Sequence, residues 1–494
     1  MKRVLASLVF GAALVAATVG NAQTPLRLSF FMLSANGETR VPDGIANPQK
    51  LGIDRALGVD LQLEPVPTLA DYAAALTVRL GGDAVPDLFQ IPNRQTLGAL
   101  KDAGLLLDLT DAFDTDLRAV VELTGRNAVR QATIGGRVWG VASTQNLPQE
   151  TYWIRQDWLE RLGLPMPRTL SDLARVARAF VENDPDGDGR RDTYGLTGNG
   201  WRSLAPVFGA FGVGTPNTLY VEGGLVKSAF AEANFPRALE YARGLVNAGL
   251  VDPDAWTMKT GPEVRARLFN GAAGIAYVGW PQVARDAQLA ELRGINPSAR
   301  IAQVPTPIGP GGRGELPNEG GWPWRMWAVS ARLKNDPARL KKVFEVLAYV
   351  SSPSGNRLVK YGLEGRQYTL VNGRVTATEL LSAPDTGSYY LYQFTGRDER
   401  EYFAVRFPNQ LPAIEGALRA PRKKDFANFV NLPAGVDRAA MDRFAEEETL
   451  RFVLGRRPLT QYAAFLGELR SAYNLDAFVA AGRAQLAAAG LLGP

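Results

Sequence analysis

No stretch of this chain restricts its own folding more than Asn183-Asp184-Pro185-Asp186-Gly187-Asp188-Gly189-Arg190-Arg191-Asp192-Thr193-Tyr194-Gly195. Its carboxylates recur at alternate positions of a segment that glycine and proline bend sharply, so a preceding helix must stop there. In an EF-hand loop the side chains at positions one, three and five point inward, glycine at six permits the turn, and seven offers its carbonyl. Asp184, Asp186, Asp188, Gly189 and Arg190 hold those places, and Asp192 stands at nine. Position twelve, a bidentate Glu in a complete loop, is Gly195, so the last oxygens must come from elsewhere. The spacing points to a structural Ca2+ held by Asp184, Asp186, Asp188, the Arg190 carbonyl and Asp192, the alternative being a solvated Asp/Gly turn. An ion enclosed by protein oxygens has no open position for catalysis.

Lys2 and Arg3 precede an apolar run from Val4 to Val19, and Gly20-Asn21-Ala22 supplies small residues before polar Gln23-Thr24-Pro25. This is a secretory signal, shorter than the roughly 20 residues of a membrane span, with cleavage expected near Ala22. The sequence has no cysteine, hence no thiol for a lipid anchor and no disulfide, and a chain of this length must rely on its core. A freely soluble protein of a bacterial periplasm is expected. The formal charge of +5 drops to +3 without Lys2 and Arg3, which gives no reason to expect a nucleic-acid partner.

Histidine is absent too, which removes Ser-His-Asp triads, histidine-bound zinc and haem-His sites, while the missing cysteine removes thiol catalysis. A glycosidase or lyase working through a carboxylate pair remains as the enzymatic alternative. No phosphate-binding or dinucleotide glycine motif occurs; Gly309-Pro310-Gly311-Gly312-Arg313-Gly314 reads as a loop because no helix follows it closely.

Period-two runs at Leu26–Met32 and Val59–Val66 predict strands, and Pro86–Ile91 predicts a short buried one. Thr68 caps a predicted helix carrying Tyr72, Leu76 and Leu80 on one face, and Thr169 another carrying Leu173, Val176, Ala177 and Phe180. Asp336-Pro337 opens a third with Leu340, Val343, Phe344 and Leu347. The alternation predicts α/β architecture, and the length predicts two lobes.

Several segments together carry a family resemblance: Gly82–Leu88, Tyr152–Leu164, the aspartate loop through Thr197, Gly274–Trp280, Gly320-Gly321-Trp322 and Tyr361–Gly365. The chain resembles the extracellular solute-binding proteins of carbohydrate ABC transporters, family 1, particularly the longer oligosaccharide-binding branch. The resemblance implies the two-lobed periplasmic-binding-protein fold, with a hinge between α/β lobes and a ligand cleft at their interface. It also implies a calcium ion in the aspartate loop, an oligosaccharide ligand, delivery to membrane permease subunits of an ABC importer, and no catalytic activity; a monomer is expected. Crossings are expected near Leu107–Thr110, Val304–Pro307 and Ser330-Ala331. Residues 1–22 would then be the signal, 23–109 and 304–330 the first lobe, and 110–303 and 331–494 the second.

Sugars present C–H faces that stack on aromatic rings and hydroxyls that need planar polar partners. Trp322-Pro323-Trp324-Arg325-Met326-Trp327 offers three indoles and a guanidinium, with Trp327 assigned to the core and Trp322, Trp324 and Arg325 to the ligand. Trp280, ending an apolar run, is a further stacking candidate. Gln145 and Asn146 offer amides, Trp201-Arg202 an aromatic and a cation, and Tyr152 is preferred to Trp153 because a strand turns only one of them to the cleft. Arg397-Asp398-Glu399-Arg400 and Arg422-Lys423-Lys424 read as solvated surface charge.

Overall fold

The computed structural model describes residues 24–34, 40–41, 47–314, 316–382 and 391–492; the expected signal segment lies outside them. Strands Leu26–Leu33 and Val59–Val66 pair in parallel from Leu26↔Val59 to Leu33↔Val66, and Leu88–Gln90 adds to the far side of the first. The helix Leu69–Gly81 begins where the Thr68 hydroxyl accepts the Asp71 N–H, and it buries Tyr72, Leu76 and Leu80 as its period requires. The helices opened by Thr169 and Asp336 likewise run Leu170–Glu182 and Pro337–Ser351.

Among the described residues two sheets carry the architecture. The first has the order Val59–Val66, Leu26–Leu33, Leu88–Gln90, Met326–Val329, Val141–Ala142; the second, Ile301–Gln303, Glu150–Arg155, Ala273–Gly279, Tyr194–Thr197. In the second sheet alternate side chains enter opposite layers. Tyr152, Ile154, Ile275 and Tyr277 face the Leu170–Glu182 helix, while Trp153, Ala276 and Val278 face Val264, Leu268 and Phe403. Burial of Leu173, Val176 and Phe180 from that helix contributes roughly 1.5–3 kcal/mol per side chain.

The lobe boundaries fall elsewhere than expected. At Leu107–Thr110 the chain stays in the first lobe, where Leu106 bridges Ser330 and the Leu109 N–H bonds the Val138 carbonyl. It leaves only after Val141–Ala142, through Ser143–Gln149. Val304 belongs to the second core, its N–H bonding the Tyr152 carbonyl, and the return runs through Gly320–Arg325 into Met326–Val329. Helix Pro337–Ser351 then packs in the first core through Val343, Val346 and Leu347, so Ser330-Ala331 is no crossing. The chain changes cores between Val359 and Tyr361, returns to the first between Leu381 and Leu391, and leaves it again between Phe394 and Tyr402. Two-residue strands such as Val141–Ala142 carry too little periodicity to reveal which sheet they join.

Met326–Val329 runs antiparallel to Leu88–Gln90, and Glu150 pairs with Gly279. Segments Ser143–Gln149 and Gly320–Arg325 therefore lie at the carboxyl ends of the parallel strands, where open α/β sheets place their ligands.

Candidate functional site

A groove of about 660 Å³ opens between the lobes. Trp324 and Tyr392 line it from the first lobe, Gln282, Arg285 and Arg406 from the second, and Asn146 and Gln149 from the first connecting segment. Its volume is within the roughly 300–1,000 Å³ of small-molecule sites.

One wall is a column of rings and guanidinium groups. Trp324 stacks on Tyr392 with ring centres 5.2 Å apart and planes at 13°, and the Arg325 guanidinium carbon lies 4.5 Å from the Trp324 centre. Arg397 continues the column, 3.7 Å from the Tyr392 centre and 3.4 Å from that of Tyr402. Its Nε donates to Glu399 at 2.7 Å, and both side chains are buried. The facing rings and Glu399 raise the Arg397 pKa against the opposing effect of burial. This pair is not the solvated charge run expected from sequence; burial makes the ion pair obligatory. Arg422-Lys423 is likewise no loose surface patch, since it sits in the strand Arg422–Asp425, where Lys423 is buried and pairs with Glu222.

Of the residues singled out in sequence, Trp324 and Asn146 line the groove. Gln145 is exposed on the same segment and donates to the Gln131 side chain and the Trp322 carbonyl. Arg325 donates through Nε to Gln393 at 2.9 Å and through Nη1 to the Trp324 carbonyl. Trp322 is 9% exposed and packs in the first core, with its N–H donated to Glu319. Trp327 is fully buried, as assigned. Trp201 is half-buried against Trp256 and Phe208, and Arg202 pairs with Glu150.

Trp280 and Tyr152 are not available to a ligand in this structure. Trp280 is 1% exposed, its ring edge-on to Phe403 and Phe407 at 5.3 and 5.4 Å. A short helix starting at Trp280 turns the indole under the groove floor, which Pro281 and Gln282 form instead. Tyr152 is 2% exposed and donates its hydroxyl to the Ser203 carbonyl at 2.6 Å. Trp153 is buried on the opposite face, because both faces of this sheet are covered. Sequence reading missed Tyr392, Arg285 and Arg406, which are separated along the chain and share no local motif.

In the aspartate loop one oxygen each from Asp184, Asp186 and Asp188 lies within 4.8 Å of the other two. Asp184, at φ +48°, accepts the N–H groups of Gly187, Asp188 and Gly189 and so folds the loop. Asp186 Oδ1 is buried without a hydrogen-bond partner, and burial with Asp184 and Asp188 nearby pushes its carboxyl above the usual range. An orphaned carboxylate oxygen beside two more carboxylates fits a divalent cation. Asp192 is outside this cluster. Gly195 is already in the strand Tyr194–Thr197, and a Cβ there would lie 2.5 Å from that of Ala177. The twelfth position of the loop is therefore closed to any side chain by the preceding helix.

The family model of bacterial extracellular solute-binding proteins matches residues 54–357. Lipoprotein LipO of Bacillus subtilis (strain 168) is 29% identical over 344 residues, 67% of this chain and 66% of that protein. The polygalacturonan/rhamnogalacturonan-binding protein YtcQ of the same organism is 26% identical over 328 residues, 64% and 62% of the two chains. The matched stretch thus spans slightly less than two thirds of these relatives' length. The solved structure of the S. pneumoniae ABC-transporter substrate binding protein FusA, an EF-hand mutant in complex with fructo-nystose, superposes with a TM-score of 0.70 at 16% identity, over 93% of this chain and 98% of that one. With its two α/β lobes and a family match through both of them, the chain belongs to the bacterial extracellular solute-binding proteins.

Proposed function

We propose that the protein captures an oligosaccharide between its lobes and delivers it to the membrane permease subunits of an ABC importer, with no catalytic step of its own. The observation that carries this reading is the groove lined from both cores and from a connecting segment. A ligand touching both lobes favours the closed arrangement, and rotation about the connecting segments turns binding into a shape that a permease can read. Aromatic side chains lining the groove beside amides from Asn146, Gln149 and Gln282 suit the two kinds of sugar surface. YtcQ and FusA, by their names and by FusA's bound ligand, are saccharide binders. The groove carboxylates are engaged, Glu399 by Arg397 and Asp286 by Gln410, which does not favour an acid/base pair poised for hydrolysis.

The working place of such a protein is the periplasm, reached through the N-terminal signal and occupied as a monomer. No helix among the described residues is long and apolar enough to cross a membrane. Asp184, Asp186 and Asp188 would hold a structural Ca2+, with Arg161, which donates to the Pro185 carbonyl, clamping the loop to its neighbouring helix.

A thermal-shift screen in calcium against mono- and oligosaccharides, each mixture checked for cleavage, tests the reading. Saturation at a hundred times Kd stabilises a one-site binder by about 2.7 kcal/mol. A shift with intact sugar supports capture; cleaved sugar makes the protein an enzyme; no shift with any saccharide removes the substrate class.

A further inference from the structure

The charges lining the groove do not balance. Arg285, Arg397 and Arg406 face Asp286 and Glu399. Arg397 and Glu399 neutralise each other in their buried pair. Asp286 is held by neutral amides, accepting from Gln410 at 2.8 Å and Asn409 at 3.3 Å. Among the described residues no carboxylate within ion-pair distance of Arg285 or Arg406 is present, whereas Arg397 in the same groove has one.

The two unmatched guanidinium groups are also placed together. Arg285 lies 5.2 Å and Arg406 5.9 Å from the centre of the same ring, Phe407, and Arg406 Nη1 donates to the Leu381 carbonyl. The Phe407 ring holds both forks, and the Leu381 carbonyl holds that of Arg406, before any ligand arrives, which lowers the ordering cost of binding. Two like charges over one ring repel; burial and Arg406 both lower the basicity of Arg285. Planar bidentate donors of this kind match a carboxylate. Solvated arginines are common on surfaces, but these two line the groove across from the Trp324–Tyr392 stack.

We infer that the saccharide taken by this groove is anionic, a uronate whose carboxylate is bound by Arg285 and Arg406. This rests on the oligosaccharide-capture reading and narrows its substrate class.

The test compares binding, by calorimetry in calcium, of trigalacturonate and trimannuronate, of their methyl esters, and of neutral maltotriose and kestose. A uronate is expected to bind at least about tenfold more tightly than its own ester, with affinity falling as salt is raised. Arg285→Gln and Arg406→Gln should each lower uronate affinity by about 10- to 100-fold and collapse the acid-to-ester ratio. Arg285→Lys should keep part of that ratio, and unchanged melting of the unliganded variants guards against misfolding. Neutral sugars or esters binding as well as the acids would overturn the anionic assignment and leave saccharide capture standing. If no saccharide of either kind binds, the capture reading falls and this inference with it.

Discussion

Tyr392 and Tyr402 hold the guanidinium of Arg397 between rings that belong to different cores, Tyr392 to the first lobe and Tyr402 to the second. Arg397 thus sits where a connecting segment passes from lobe to lobe, with its N–H and carbonyl bonded to Thr144 of another connecting segment.

Arg397→Ala should destabilise the protein by about 3–5 kcal/mol, because it strands the buried Glu399 carboxylate. Adding Glu399→Gln should recover part of the loss, since the orphaned charge is then gone. Urea unfolding of the two variants checks this; equal stability of the single variant and the parent would show the pair to be dispensable.

Asp186→Ala combined with Asp188→Ala should abolish any rise in melting temperature on adding calcium. The parent should lose that rise in chelator, and identical melts with and without chelator would remove the ion. Gly195→Glu, which restores the EF-hand residue on paper, should lower stability rather than raise calcium affinity, because its Cβ meets the backbone of Ala177 at 2.8 Å.

Trp280→Ala and Trp324→Ala should separate core from groove. The first removes a buried indole and should cost about 3–5 kcal/mol of stability. The second should change melting little and weaken saccharide binding roughly 3- to 10-fold. Melting curves and calorimetry on both variants decide the assignment, and the reverse pattern would return Trp280 to the ligand.

Asp425 accepts the N–H groups of Leu219 and Ala427, and burial pushes its carboxyl up to about 7. The unfolded chain ionises this group near pH 4, the folded protein only near neutrality, so between those values the native state binds the extra proton. Stability contributed at low pH is accordingly lost as pH rises from about 4 to about 7. Asp425→Asn keeps the acceptor oxygen without the charge. It should flatten this slope and raise the melting temperature above the parent at pH 8, a gain on the order of 1 kcal/mol. A variant that melts lower than the parent at pH 8 would contradict the assignment.

Local signals in the sequence determined much of this protein. Period-two runs and side-chain caps at Thr68, Thr169 and Asp336 located strands and helices within a residue or two, because strand alternation and helix caps are set by neighbours in the chain. The alternate aspartates likewise announced a cluster of Asp184, Asp186 and Asp188, since one tight turn brings them together. Tertiary structure alone decided that Gly195 is pressed against Ala177 and that Asp192 is left out. It also decided that Trp280 turns into a core while Trp324 faces the groove, a choice made by Phe403 and Phe407 more than a hundred residues away. Arg285, Tyr392 and Arg406 line one groove only because several connecting segments bring the two lobes together, and the spacing of residues along a chain holds no record of contacts made across that distance.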